Sequence, residues 1–350
     1  MTIKSVTIAG RHIGEGQKPY IVAEMSANHN GKLETALRII EAAKDAGADA
    51  VKFQTYTPDT ITLDHSGSDF CIQGGLWHNR TLYELYEEAY TPWEWHEALF
   101  AKAKQVGITA FSAPFDPTAV DFLESLGCPA YKIASFELVD IPLIQKAAST
   151  GKPLIMSTGM GNALEIREAI EAARSAGCES PIILHCVSGY PAPVDDCNIR
   201  TIQHLKSEYG VISGLSDHSL GTVVSVAAVA TGASLIEKHF ILSRDNGGLD
   251  SAFSLEPDEL KQLVSDTHLA WLALGKVNLN RAPSEKDNAK LRRSLYAVEA
   301  IQAGAPLTTA NVRSIRPGFG LPPKELPQVI GKQAERNIQR GEPLSWDLIK

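Results

Sequence analysis

Eight apolar runs in succession, each followed by a helix-length segment, predict an α/β fold of the (β/α)8 TIM-barrel class with a small β-rich domain after it. Glycine stands at most of the helix ends, as a left-handed cap requires, and the polar residues gather just after the apolar runs. A chain of 350 residues is long enough for one large core and one small one. An open doubly wound sheet is the competing fold, weakened by the lack of a Gly-rich turn after the first strand.

The units run in order. Residues 19–25 read as strand and 32–46 as helix, with Leu37, Ile40 and Ala43 at helical spacing and Gly47 as the stop. Strand 50–54 is followed by a long polar insertion and by a helix over 92–106 that stops at Gly107. Strand 108–112 precedes helix 116–126, strand 130–134 precedes helix 141–149, and strand 153–157 precedes helix 163–176. Strands 182–187, 211–214 and 234–240, with helices 199–208, 222–230 and 257–274, complete the eight. The 56–91 insertion, with Gly74-Gly75-Leu76-Trp77, is too long for a plain connector and reads as a lid or as a decoration. After Ala282-Pro283 the helical beat gives way to short β-like pieces, two of which repeat: Ile301-Gln-Ala-Gly-Ala-Pro-Leu307 and Ile338-Gln-Arg-Gly-Glu-Pro-Leu344. The expected domains are therefore 1–282 and 283–350.

A net charge of -8 with no basic cluster argues against nucleic acid or an anionic membrane as partner. Apolar (44%) and charged (21%) content are those of an ordinary globular protein. No run reaches membrane-spanning length, and the start Met-Thr-Ile-Lys-Ser-Val does not read as a signal peptide. Five cysteines, an odd number without a CxxC pair, read as reduced thiols of a cytoplasmic protein.

The chemistry is expected in Gly214-Leu-Ser-Asp-His-Ser-Leu-Gly-Thr222 and Ser234-Leu-Ile-Glu-Lys-His-Phe-Ile241. On neighbouring parallel strands His218 and His239 would leave the same sheet edge side by side, able to hold one divalent metal. Ordinary strand-end histidines are the rival reading for each alone. Asp217 and Glu237 could orient the rings or ligate water. Lys52, sharing a strand face with Gln54, and Lys132 are cations at the mouth, suited to a phosphate or carboxylate or else paired with nearby acids. With Ser135, Ser157, Ser188 and Ser216 at successive strand ends they make a candidate site for an anionic substrate. Lys238, of opposite parity to His239, should face the helices. Glu24 should point into the mouth, as acid/base, as a grip on substrate hydroxyls, or as the partner of Lys52. His29 fits a turn at least as well as catalysis, and His185 reads as a core residue. Arg316, in Ile315-Arg-Pro-Gly-Phe-Gly320, could clamp a carbonyl or carboxylate or be a solvated arginine.

Ala23-Glu-Met-Ser-Ala-Asn-His-Asn30, Val51-Lys-Phe-Gln54, Ser157-Thr-Gly-Met160, Leu184-His-Cys186, Ser216-Asp-His-Ser219, Glu237-Lys-His-Phe240 and Ile315-Arg-Pro-Gly318 carry a likeness over nearly the whole chain. It resembles the sialic acid synthase family, whose members join a (β/α)8 barrel to a C-terminal antifreeze-like (SAF) domain and form domain-swapped homodimers. Leu82-Tyr-Glu-Leu-Tyr-Glu-Glu-Ala-Tyr-Thr-Pro-Trp93 and Gly247-Gly-Leu-Asp-Ser-Ala-Phe-Ser254 are most similar to the pseudaminic acid branch. The branches that use N-acetylmannosamine usually carry Asn where Ser188 stands. The resemblance implies condensation of phosphoenolpyruvate with an open-chain amino-sugar aldehyde, assisted by Mn, Mg or Co on His218 and His239. It implies that Lys52, Lys132, Ser135, Ser157, Ser188 and Ser216 bind phosphoenolpyruvate. Glu24, Tyr190 and Asp250 would hold sugar hydroxyls, Glu137 would carry a proton, and Arg316 would hold an N-acetyl oxygen from the neighbouring subunit. A neuraminate or legionaminate synthase is the near alternative. A Schiff-base aldolase using Lys132 or Lys52, and a carbohydrate-binding or structural protein, are the more distant ones.

Overall fold

The computed structural model describes residues 5–350. The chain divides into two compact units, Met1–Gly275 and Lys276–Lys350. The division falls at Gly275, where the last barrel helix ends, ahead of the change of pattern at Ala282.

The first unit opens with a hairpin that the apolar pattern did not announce. β1 (Ser5–Ile8) and β2 (Arg11–Gly14) pair antiparallel, and their Ile8 and Ile13 are fully buried in the core. Each strand has four residues, too few for alternation to register. The barrel follows: β3 (Tyr20–Glu24), α1 (Leu33–Asp45), β4 (Ala50–Thr55), α2 (Pro58–Ile61), α3 (Leu82–Ala89), α4 (His96–Val106), β5 (Thr109–Pro114), α5 (Pro117–Ser125) and β6 (Tyr131–Ile133). It continues with α6 (Ile141–Ala148), β7 (Leu154–Ser157), α7 (Ala163–Ser175), β8 (Ile182–Cys186), α8 (Arg200–Tyr209), β9 (Ile212–Asp217), α9 (Val223–Ala230), β10 (Leu235–His239) and α10 (Pro257–Leu274). The eight strands β3 to β10 close in sequence order, β10 beside β3, as a parallel barrel. Gly47, Gly107, Gly127, Gly151, Gly177, Gly210, Gly232 and Gly275, one after each large barrel helix, all have positive φ. The insertion contains α2 and α3, the latter started by a Thr81–Glu84 capping box.

Strand β9 runs past residue 214, where the sequence pattern ended it. Leu215, Ser216 and Asp217 pair with Ile236, Glu237 and Lys238 of β10. Side chains level with one another in a parallel ladder share a face. Glu24 is level with Lys52 and His239, and Ser216 with Cys186 and Glu237. These polar residues therefore form the inner layer at the C-terminal mouth. Buried Val22, Ala50, Ile182, Leu184 and Leu235, of the same parity, fill the barrel beneath.

The second unit has its own apolar core, including Leu295, Ile301, Leu307, Val312, Ile338 and Leu344. Its sheet is β11 (Ser294–Ala297) against β12 (Val312–Ile315), antiparallel, with a one-turn helix α11 (Leu326–Val329). The two repeats meet: Ile301 and Ile338 exchange backbone hydrogen bonds of 2.9 Å. Among the described residues no helix is long and apolar enough to cross a membrane.

Lys238 and Asp217 face the helices, joined at 3.0 Å with both side chains essentially unexposed. Asp217 also accepts hydrogen bonds from Ser219 Oγ (2.6 Å) and Ser225 Oγ (2.5 Å). Replacing Asp217 by Asn leaves a buried ammonium without its counter-charge, for which we expect a loss of about 3–5 kcal/mol in stability by urea unfolding. A midpoint equal to wild type would show that Lys238 needs no partner.

Candidate active site

The inner polar layer closes around one carboxylate. Glu237 Oε1 receives Lys52 Nζ at 2.8 Å, Lys132 Nζ at 3.4 Å and Ser216 Oγ at 3.2 Å. Lys52 also meets Glu24 Oε2 at 2.9 Å. Glu24 is held in turn by the Ser26 N–H (3.0 Å) and the Gln54 amide (3.2 Å) on its other oxygen. All four charged groups are buried, so two cations and two anions balance before any substrate arrives. The expectation of cations waiting for an anion is thus qualified: each lysine already has a carboxylate. Burial pulls the Lys52 ammonium down to about 7 against the attraction of Glu237. Burial would raise the Glu237 carboxyl, but Lys132 and Lys52 hold it low.

The two histidines stand where the strand pattern put them. Their ring centroids are 5.3 Å apart and the planes cross at 60°. His218 Nδ1 lies 2.9 Å from the Val187 carbonyl, which can only accept, so that nitrogen carries a proton; burial would lower the His218 pKa, but Cys186 and this carbonyl raise it. His239 Nδ1 is buried without a hydrogen-bond partner and faces Asp250 Oδ2 at 3.6 Å. Burial lowers the His239 pKa, which favours the neutral ring that a metal needs. An imidazole pair with an acidic outer neighbour is a donor set that fits a divalent ion. Among the described residues no three His, Cys, Asp or Glu side chains converge as a metal cluster. Asp217 does not orient the rings as expected, because odd spacing from Ser216 turns it outward to Lys238.

The serines lie around the lysines. Ser157 Oγ is buried without a partner, and Ser135 Oγ accepts the Gly159 N–H at 3.1 Å. A Cβ on Gly159 would fall 2.2 Å from Ser188 Oγ and 2.7 Å from Ser135 Oγ, so a bare backbone separates these hydroxyls. Glu137, whose carboxyl burial pushes up to about 7, lines the same cavity with Glu24, Lys52, Lys132, Tyr190 and Asp250. Tyr190 lies over His218 with centroids 4.5 Å apart. Arg316 belongs to the second unit, exposed after β12.

His29 is a turn residue: its Nδ1 accepts the Gly31 N–H at 3.1 Å, and Thr91 Oγ1 is 3.3 Å from Nε2. His185, bonded to the Cys197 carbonyl at 2.7 Å, ties β8 to the loop that follows it. Sequence reasoning missed the sharing of Glu237 by both lysines, although its parity with His239 already turned it inward. It also missed Cys186, 3.8 Å from His218 Nδ1, whose thiol burial would raise but His218 brings down to about 7. From the insertion, Tyr56, Ile61, Trp77, Leu85, Tyr86 and Ala89 line the cavity.

Residues 39–278 match the NeuB family and residues 292–350 the SAF domain. The chain is 43% identical to a pseudaminic acid synthase of Helicobacter pylori over 95% of its length and 98% of that protein. It is 45% identical to one of Campylobacter jejuni over 94% of its length and 96% of that protein. A crystal structure of N-acetylneuraminic acid synthetase from Leptospira borgpetersenii superposes with a TM-score of 0.73 at 33% identity, covering 82% of this chain and 95% of that one.

Replacing Glu237 by Gln leaves two buried ammonium groups facing one carboxylate. We expect urea unfolding near neutral pH to show a loss of about 3–5 kcal/mol. The deficit should shrink as pH rises toward 7, because without Glu237 the buried Lys52 sheds its proton, and with it the unpaired charge, at a lower pH than in wild type. A deficit that grows with pH would contradict this account of the floor.

Proposed function

The chain belongs to the NeuB family, and from that premise we propose that it condenses phosphoenolpyruvate with 2,4-diacetamido-2,4,6-trideoxy-L-altrose, giving pseudaminic acid and phosphate. The observation that carries the reading is its likeness, over almost its whole length, to pseudaminic acid synthases. The polar barrel floor suits that chemistry.

Lys52, Lys132 and the hydroxyls of Ser135, Ser157, Ser188 and Ser216 bind the phosphate and carboxylate of phosphoenolpyruvate. The arriving trianion competes with Glu237 for the Lys52 and Lys132 ammonium groups. Glu24, Tyr190 and Asp250 hold the sugar chain with its aldehyde carbon toward the enol methylene. A carbon–carbon bond forms between them, water adds to the former enol carbon, and phosphate leaves. Glu137, neutral or charged with little cost at pH 7, carries the proton for the new hydroxyl. His218 and His239 would hold manganese, magnesium or cobalt, and the ion would supply Lewis acidity. A Schiff base needs a free neutral amine, whereas Lys52 touches two carboxylates at 2.8 and 2.9 Å. We assign a cytoplasmic homodimer in which Arg316 serves the sugar bound by the partner subunit.

Two measurements test this. In a phosphate-release assay with manganese we expect the altrose derivative to exceed its legionaminic-type isomer and N-acetylmannosamine by about tenfold or more in kcat/KM. Equal turnover of all three would overturn the sugar assignment. For Gly159→Ala, whose Cβ displaces the Ser135 and Ser188 hydroxyls, we expect KM for phosphoenolpyruvate to rise about tenfold while KM for the sugar stays within about twofold. An unchanged KM for phosphoenolpyruvate would remove those serines from its site.

A further inference from the structure

Trp77 is carried on a segment that a barrel does not require. Between β4 and α4 the chain folds back on itself: Cys71 and Thr81 pair antiparallel, Ile72 N–H donates to the Arg80 carbonyl at 2.9 Å, and Asn79 N–H donates to the Ile72 carbonyl at 3.0 Å. At the turn, Gly74 and Gly75 have φ of +85° and +73°, a conformation that side-chain-bearing residues seldom adopt. The Gly74 N–H donates to His78 Nδ1 at 2.7 Å and fixes the bend. The narrow loop so made brings Trp77 to the wall of the cavity. Its ring lies 5.9 Å from that of Tyr190, which in turn lies 4.5 Å from that of His218. Trp77 therefore stands two rings away from the imidazole pair.

Its indole Nε1–H is buried with no acceptor. An indole is a donor only, so the missing partner must be an oxygen or nitrogen lone pair. The other buried side-chain atoms without partners on this cavity are carboxylate oxygens of Glu137 and Glu237, the Ser157 hydroxyl and His239 Nδ1. Among the described residues of the cavity wall Trp77 is thus the obligate donor in that set. The tilted Tyr190 ring offers at best a weak π contact. Burying a donor in this way is unfavourable unless something else completes it, and the ligand is what enters here. Ile61 and Leu85, which line the same cavity, add apolar surface. A donor in a cavity with apolar lining matches an acetamido group, which offers one carbonyl oxygen and one methyl.

We propose that Trp77 is a specificity-determining residue: its indole N–H donates to the carbonyl oxygen of the sugar's second acetamido group. This rests on the reading of the chain as a synthase acting on a diacetamido sugar. The aldehyde end lies at the imidazole pair, so a group two rings away contacts the distal part of the chain. There N-acetylmannosamine carries a hydroxyl, whose oxygen sits directly on the chain, short of where an acetamido carbonyl oxygen reaches, and which leaves the apolar surface unfilled.

The test compares wild type with Trp77→Phe, which keeps an aromatic ring and removes the N–H. The two substrates are 2,4-diacetamido-2,4,6-trideoxy-altrose and the analogue with a hydroxyl in place of the second acetamido group. We expect Trp77→Phe to lose about tenfold in kcat/KM on the diacetamido sugar and less than about twofold on the hydroxyl analogue, with KM for phosphoenolpyruvate unchanged. A thermal midpoint within a few degrees of wild type would confirm that the variant folds. In wild type, the 15N-indole resonance absent from the Trp77→Phe spectrum should shift on adding the diacetamido sugar and stay in place with the analogue. Equal losses on both sugars, or a resonance indifferent to the sugar, overturn the role of Trp77 alone. A wild-type enzyme that turns over no diacetamido sugar overturns the underlying reading, and this inference with it.

Discussion

The sharing of the Glu237 carboxylate by two lysines is the constraint on which the mouth of the barrel depends. An isolated charge at this depth would be expelled or neutralised, and a pair survives only with good geometry and further hydrogen bonds. Here Lys52 lies between Glu24 and Glu237, Lys132 leans on Glu237, and Ser216 and Gln54 occupy remaining lone pairs. The arrangement also pins strand register. Ser216 and Glu237 are level on the inner face of β9 and β10, Asp217 and Lys238 on the outer face. A slip of one residue would turn Lys238 and Asp217 into the mouth and Glu237 toward the helices, misplacing every charge at once. The imidazoles inherit their placement from that register, since His239 ends the strand carrying Glu237.

Much of this was legible in the chain because it is local. The period of two along 235–239 sends Glu237 and His239 one way and Lys238 the other, and eight glycines marked eight helix ends. What escaped was either too short or too distant. The four-residue strands of the opening hairpin carry too little alternation to stand out from a loop, and α3 is only eight residues long inside a polar stretch. The meeting of residues 24, 52, 132 and 237 follows from closure of the barrel, and no spacing along the chain encodes it. Asp217 was assigned to the imidazoles because it adjoins one in sequence, yet neighbours in a strand face opposite ways. The same parity that placed Lys238 correctly would have placed Asp217 with it.

Mutual constraint also indicates where substrate choice can reside. Lys52, Glu24 and Glu237 each answer to two or more others, so a substitution there disturbs binding of the enol phosphate and the stability of the barrel together. Such positions are poorly suited to distinguishing one sugar from another. The wall contributed by the insertion is different in kind. Trp77, Leu85 and Tyr86 reach the cavity from a segment whose loop is held by its own backbone bonds and glycine turn, and Asp250 and Phe253 reach the site from the connection after β10. Of these, Trp77, Leu85, Tyr86 and Phe253 can change without unpairing a buried charge. A fold that fixes its reacting groups by shared ions and carries its sugar contacts on self-supporting loops can therefore keep one condensation and vary its aldehyde.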